Sequence, residues 1–227
     1  MSILLARDLA KCYGSGTQAT KAVDGVTFSV EKGEFIAVIG RSGCGKTTLL
    51  HMLGGLETPD SGKVEISGQD IFSMSKEDLT VFRRQNIGFV FQAYNLLPIL
   101  DVFENIVLPL RMDGREAEAD FFNEIVGMLE LEDKLLKLPS QLSGGEQQRT
   151  AIARSLITQP ALLLADEPTG NLDSQTSANV LALLKDTGKR FGQTVVMVTH
   201  SMDIARTADR IIEMADGTIK KVHYGEG

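Results

Sequence analysis

"FIAVIGRSGCGKTTLL", residues 35–50, decides the fold. Five apolar residues read as a buried strand, a glycine-rich turn follows, and Lys46-Thr47-Thr48-Leu49-Leu50 opens a helical run. The spacing is Gly40-x4-Gly45-Lys46-Thr47. A strand before it and a helix after it separate a phosphate loop from a chance glycine turn. Glycines at 40, 43 and 45 let several backbone N–H groups face one anion, and the helix N-terminus adds its dipole. Lys46 supplies a full positive charge for β- and γ-phosphates, and Thr47 a hydroxyl for Mg²⁺. The stretch predicts a nucleoside triphosphate held by Gly40, Arg41, Ser42, Gly43, Cys44, Gly45, Lys46, Thr47 and Thr48.

"ALLLADEP", residues 161–168, puts Asp166 and Glu167 at the carboxyl end of a strand apolar enough to be central. Ligands of open α/β sheets bind at that edge. Beside a phosphate loop, Asp166 is expected to hold Mg²⁺ through water, and Glu167 to orient or deprotonate the attacking water. Glu ionises near pH 4.3, so positioning the water counts for more than taking its proton. Successive strand side chains point to opposite faces, so the two carboxylates cannot both face one nucleotide from a regular strand. The chain is expected to leave strand geometry here, and Pro168 agrees.

A second anion site is written in "QLSGGEQQRTAIARSL", residues 141–156, where Ser143-Gly144-Gly145 precedes a helical pattern with Ile152 and Leu156 on one face. Free N–H groups and a positive dipole end meet at such a turn.

Between these sites, residues 1–39 read as short strands, and "KVEI" at 63–66 as another. Helical patterns then dominate from 76 to 158, including "SKEDLTVFRRQ", "DVFENIVLPLRM" and "REAEADFFNEIVGMLELED". Beyond Pro160 the pattern returns to strands "ALLLA", "TVVMV", "RIIEM" and "TIKKV", with a helix expected over 174–187. Continuous apolar strands alternating with helices imply a parallel sheet covered on both faces. The helical middle, about 93–158, reads as an insertion into one α/β domain spanning 1–227.

Net charge is -7, with no run of five like charges, so the electrostatic footprint of a nucleic-acid binder is absent. Cys12 and Cys44 lack metal-ligand spacing and read as two reduced thiols. Arg7 and Asp8 arrive before an apolar run of signal-peptide length, and no segment approaches 18 uninterrupted apolar residues. The expectation is a cytoplasmic chain that does not enter a membrane by itself.

With "GRSGCGKT", "LSGGEQQR" (142–149) and "LLLADEPTGNLD" on the page, the chain resembles the ATP-binding subunit of an ABC transporter over essentially its whole length. The resemblance implies a P-loop NTPase core with a mostly parallel sheet, an N-terminal antiparallel β-subdomain and an inserted α-helical subdomain. It implies ATP and Mg²⁺ as cofactors. It also implies Tyr13 stacking on adenine, Gln92 linking Mg²⁺ to the transport partner, Asp173 as a cross-dimer contact and His200 as a γ-phosphate contact, with Lys46, Glu167 and His200 catalytic. Two protomers would face head to tail, with Ser143, Gly144, Gly145 and Glu146 of one at the γ-phosphate held by the other. "YNLLP", "VFENIVLPL" and "ADEPTGNLD" narrow the resemblance to the macrolide-exporter and lipoprotein-releasing group (MacB/LolD-like), to which the cell-division ATPase of an FtsX-type membrane protein is related. Ser201 stands where Asp is common, and Thr150 where a larger apolar residue is usual.

That group implies an ATP-bridged homodimer, a transmembrane permease of FtsX or MacB type, no nucleic acid, and a peripheral place on the inner face of the cell membrane reached only through the permease. "AYNLLPILDVFENIVLPL", residues 93–110, either lines a groove for a cytoplasmic segment of the permease or forms the insert's own core. A soluble nucleic-acid or translation ATPase fits less well, because there is one set of motifs and only about ninety-five residues separate Lys46 from the signature. A regulatory module that cycles ATP to gate a partner without transport uses the same clamp and stays open.

Overall fold

The computed structural model describes residues 2–14 and 19–225. In chain order they form β1 (Ser2–Tyr13), β2 (Thr20–Glu31), β3 (Phe35–Ile39), α1 (Lys46–Leu53), β4 (Ser61–Ile66), β5 (Gln69–Asp70), α2 (Lys76–Asn86) and β6 (Ile87–Phe91). Then follow α3 (Val102–Met112), α4 (Ala119–Met128), α5 (Gly144–Leu156), β7 (Leu162–Asp166), α6 (Ser174–Arg190), β8 (Thr194–Val198), α7 (Met202–Ala205), β9 (Arg210–Ala215) and β10 (Thr218–Tyr224). Two compact units result, one of Met1–Arg83 with Thr194–Gly227 and one of Arg84–Gln193.

In the first unit β1 pairs antiparallel with β2 on one side and β4 on the other. Leu4, Ala6 and Leu9 of β1, Val23, Val26 and Val30 of β2 and Val64 and Ile66 of β4 are buried, which is the pattern of a sheet with one dry face. A second group of strands has β3 parallel to both β8 and β9, with β10 antiparallel on β9. Ile36, Ala37 and Val38 of β3 and Val195 to Val198 of β8 are all buried, the continuous burial of strands covered on both faces.

The second unit holds the parallel pair β6 and β7 with helices α3 to α6. Both α3 and α5 begin with a capping box, in which Asp101 and Ser143 each accept a bond from the N–H of the Glu three residues on. The C-terminal end of α3 is followed by Gly114 at φ 66, whose N–H reaches Arg111 O at 3.0 Å while Arg115 N–H reaches Leu110 O at 2.9 Å. That pair of bonds closes the helix in a Schellman turn.

Two sequence expectations are corrected. The strands of residues 1–39 are not all short, since β1 and β2 each run 12 residues. Register shifts between Ala6 and Leu9 and between Leu9 and Lys11, beside Asp8 at φ 50 and Gly25 at φ 68, absorb the polar interruptions as bulges. The stretch 115–133 is not one helix, because α4 stops at Met128. Glu130 takes the left-handed position at φ 53, Leu131 N–H returns to Val126 O at 3.0 Å, and the turn buries both Leu129 and Leu131, so an apolar pattern continues through a break in the helix.

Candidate functional site

In the first unit the glycine loop joins β3 to α1. Gly45 is the N-cap of α1 at φ 99, and a Cβ there would lie 1.8 Å from Ala22 O, so only glycine fits. Lys46 is 5% exposed. Its ammonium folds back under the loop and donates to Gly40 O at 2.9 Å and Arg41 O at 3.0 Å, with Cys44 Sγ 3.9 Å away. Cys44 is buried, Cys12 is exposed, and both are free thiols. Arg41, Ser42, Gly43 and Thr47 face solvent along the loop and the first turn.

His200 follows β8, which lies parallel to β3 with Val198 opposite Val38. Its Nδ1 is 3.3 Å from Gly40 O, so Lys46 and His200 meet at the same carbonyl. Tyr13 closes β1, 44% exposed, with the Lys11 ammonium 5.6 Å from its ring. After Tyr13 the sequence continues Gly14-Ser15-Gly16, a turn signal of which only Gly14 lies among the described residues.

In the second unit, strand register aligns the acidic pair with the glutamine. Phe91 of β6 stands opposite Asp166 of β7, so Gln92 and Glu167 each follow the carboxyl end of one of two paired strands. Glu167 sits at φ 45, in the left-handed region. Strand geometry ends at the residue where two neighbouring carboxylates require it to, and a non-glycine residue there is strained, as functional turns often are. Gly170 N–H then bonds Glu167 O at 2.9 Å. Gln92 is held from the same turn: Asn171 Nδ2 donates to Gln92 O at 2.9 Å, and Gln92 Nε2 donates to Asn171 Oδ1 at 3.3 Å. A Cβ on Gly170 would lie 2.6 Å from Gln92 Nε2.

The signature forms the N-terminus of α5. Ser143 Oγ accepts from Glu146 N–H at 3.3 Å, and Ser143 N–H donates to Glu146 Oε2 at 2.7 Å. Amides at the first positions of a helix have no intrahelical acceptor, so Gly144 and Gly145 present donors to an anion. The Ser143 amide holds the Glu146 carboxyl below the usual carboxylate range, against a smaller opposing effect of burial. Thr150, noted as small for its place, is fully buried and donates its hydroxyl to Glu146 O at 2.8 Å. A Cβ on Gly145 would lie 2.6 Å from Thr176 Cγ2, so the starts of α5 and α6 abut. Asp173 caps α6, accepting from Thr176 Oγ1 at 2.6 Å and from the Gln175 and Thr176 amides at 3.1 and 3.0 Å. Its pKa is lowered first by the Thr176 hydroxyl.

Three groupings therefore exist: the loop with His200, Gln92 with the acidic pair, and the signature with Asp173. Sequence reading missed the residues that hold them. Arg154 of α5 donates to Tyr94 O at 2.8 Å and Asn95 O at 2.6 Å, and both acceptors are left-handed, at φ 59 and 51. Asn105 is fully buried and pins residues 97–101 through four side-chain bonds. Lys134 reaches Glu146 Oε1 at 3.2 Å. Arg154 and Asn105 each left one signal, a polar residue within a largely apolar helical stretch, whereas Lys134 follows two acidic residues in a short turn and left none.

Mg²⁺ keeps several waters and binds through one or two protein ligands plus substrate phosphates, not through an all-protein cage. Thr47 of the first unit is exposed and Asp166 of the second is half-buried, and each carries an oxygen donor of the kind Mg²⁺ takes; the described residues contain no cluster of three His, Cys, Asp or Glu.

A profile of the family described as "ABC transporter" matches residues 23–170. The lipoprotein-releasing system ATP-binding protein LolD of Geobacter metallireducens is 44% identical over 220 residues, 96% of this chain and 98% of that one. The macrolide export ATP-binding/permease protein MacB of Chlorobaculum tepidum is 43% identical over 215 residues, 93% of this chain but 33% of that longer one. Among solved structures, a dimeric post-hydrolysis state of the ATP-binding cassette MJ0796 bound to ADP and Pi superposes with a TM-score of 0.88 at 39% identity, over 99% of each chain.

Proposed function

Because the chain belongs to the ABC transporter family, we propose that it is the ATP-hydrolysing subunit of a membrane complex, in which two copies close head to tail on ATP and power or gate a permease. One observation carries this reading: the chain presents two helix N-termini built for anions, α1 behind the glycine loop and α5 behind Ser143. A relative with the same fold is a dimer bound to ADP and Pi.

In this reading Gly40 to Thr48 cradle the phosphates and Lys46 neutralises their charge. Bonds from Lys46 to two loop carbonyls are replaced by bonds to phosphate, which are stronger because both partners are charged. Thr47 would hold Mg²⁺ by its hydroxyl and Asp166 through water, with Gln92 as a further ligand. When bound, Mg²⁺ offsets the charge of the phosphate oxygens. Glu167 positions the attacking water, His200 contacts the γ-phosphate and Tyr13 stacks on adenine. Ser143, Gly144 and Gly145 act on the γ-phosphate of the second copy with Glu146 beside them, and Asp173 lies at that interface. Loss of the γ-phosphate removes the charged link and lets the dimer open.

The output is a permease of the lipoprotein-releasing, macrolide-export or FtsX kind. Among the described residues no helix is long and apolar enough to cross a membrane, so the placement proposed is peripheral, on the inner face. Leu97, Ile99 and Leu136 are 43%, 83% and 87% exposed. Asn105 ties residues 97–100 to α3, and Phe103 N–H bonds Leu135 O at 3.0 Å, so these apolar side chains flank the start of one helix. They are the proposed permease face.

The test is Glu167→Gln. It is expected to bind ATP, to lose roughly 10²-fold or more in turnover, and to accumulate as a dimer in solution scattering at saturating Mg-ATP. A monomer under those conditions, or near-normal turnover, overturns the assignment.

A further inference from the structure

The signature carries a carboxylate at the mouth of a site that must receive a phosphate. Glu146 lies in the first turn of α5, its Oε2 on the Ser143 amide at 2.7 Å. An acidic residue there stabilises the helix by its interaction with the dipole. The same charge opposes an incoming anion and weakens the electropositive end that would bind it.

One cation answers it. Lys134 projects from the short turn Glu132–Lys134, twelve residues upstream, and places its ammonium 3.2 Å from Glu146 Oε1 and 2.8 Å from Asp133 Oδ2. Lys134 and Glu146 have side chains 20% and 19% exposed, so the pair is largely withdrawn from solvent. The two Glu146 oxygens are thereby divided, one on the Ser143 amide and one on the ammonium. Ser143 Oγ accepts the Glu146 amide, and the Ser143 hydroxyl also acts on the Glu146 carboxylate, helping to hold it in place. Of the other charges near this turn, Arg149 pairs with Glu130 at 3.9 Å.

We propose that Lys134 is a positioning residue for the reaction, which offsets part of the Glu146 charge and fixes its carboxylate on Ser143 so that the N-terminus of α5 stays open to the γ-phosphate of a second copy. This rests on the dimer reading above. Lys134 does not touch the nucleotide. It acts through Glu146.

The test is a double-mutant cycle on the full chain, read as kcat for ATP hydrolysis and as the ATP concentration that half-dimerises the Glu167→Gln background. Lys134→Gln is expected to lower kcat about tenfold and to raise that ATP concentration by a similar factor, the size of one uncompensated charge at a partly buried site. Lys134→Arg restores the cation and should recover at least half of wild-type kcat. In a Glu146→Gln background, where Lys134 faces only the exposed Asp133 carboxylate, adding Lys134→Gln should change either readout by less than about twofold. An equal loss in both backgrounds makes Lys134 a structural strut and overturns the proposal, as does full activity of Lys134→Gln alone. A wild-type chain that hydrolyses ATP but shows no coupling removes only this inference. One that neither hydrolyses ATP nor dimerises on it removes the parent reading as well.

Discussion

Replacing Asn105 tests how the exposed apolar strip is held. Its Oδ1 accepts Leu97 N–H at 2.8 Å, and its Nδ2 donates to Leu97 O at 3.1 Å, Leu100 O at 2.9 Å and Asp101 O at 3.0 Å. Asp101 O also accepts the backbone N–H of Asn105 at 2.9 Å, so it keeps a partner when the amide is gone. Leu97 O likewise keeps the Leu100 N–H at 3.2 Å, so the groups that lose their partner are Leu97 N–H and Leu100 O, at about 1 kcal/mol each. Leu has the branching and heavy-atom count of Asn, so Asn105→Leu opens no cavity, and the expected loss is about 2 kcal/mol. Asn105→Asp keeps the acceptor but turns the donor into an oxygen facing three carbonyls, and at neutral pH it should cost at least as much. Burial and those carbonyls raise the new carboxyl's pKa, so its deficit narrows as pH falls through the raised value and the protonated group regains one donor. Urea unfolding gives the free energies, and hydrogen exchange at the Leu97 amide gives the local release. Asn105→Leu within about 0.5 kcal/mol of wild type, or Asn105→Asp as stable as wild type at pH 7, would refute the reasoning.

Gly170→Ala places a methyl 2.6 Å from Gln92 Nε2, the far end of a flexible side chain, so Gln92 moves and the backbone does not. Stability should stay within about 1 kcal/mol while permease-stimulated hydrolysis falls to the level of Gln92→Ala, read as ATPase activity with and without the permease. Full stimulation in Gly170→Ala would show that Gln92 need not lie where Asn171 holds it. The Glu146 carboxyl is lowered, chiefly by the Ser143 amide, so its contribution is complete above the ordinary Glu value near 4.3 and is lost as pH falls through the lowered one. Carboxyl-carbon NMR should find Glu146 titrating below the exposed glutamates, and a midpoint at or above theirs would contradict the capping geometry.

The parts of the site legible in the sequence are those written by neighbours. The strand, loop and helix around Lys46 are contiguous, and their local preferences agree. The departure from strand geometry at Glu167 could be read from two adjacent carboxylates that need one face, and it lies there at φ 45. What stayed illegible depends on partners far along the chain. Arg154 meets carbonyls 59 and 60 residues upstream, and no helical pattern indicates which carbonyls an arginine will find. The end of α4 was hidden for another reason. Leu129 and Leu131 keep the apolar rhythm through a turn that Glu130 makes in a glycine-like conformation, so periodicity reads on past the break.

The grip of Arg154 has a mechanical consequence. One end of α5 meets the segment after Gln92 through Tyr94 Oη, 3.0 Å from where a Cβ on Gly144 would lie, and Arg154 holds the carbonyls of that same segment from ten residues further along the helix. At 1.5 Å per residue, the two attachments are about 15 Å apart on one rigid rod. A load applied to Tyr94 and Asn95 is therefore delivered at two points and becomes a torque on the helix. A permease pressing on the proposed face would thereby act on the signature through the body of α5.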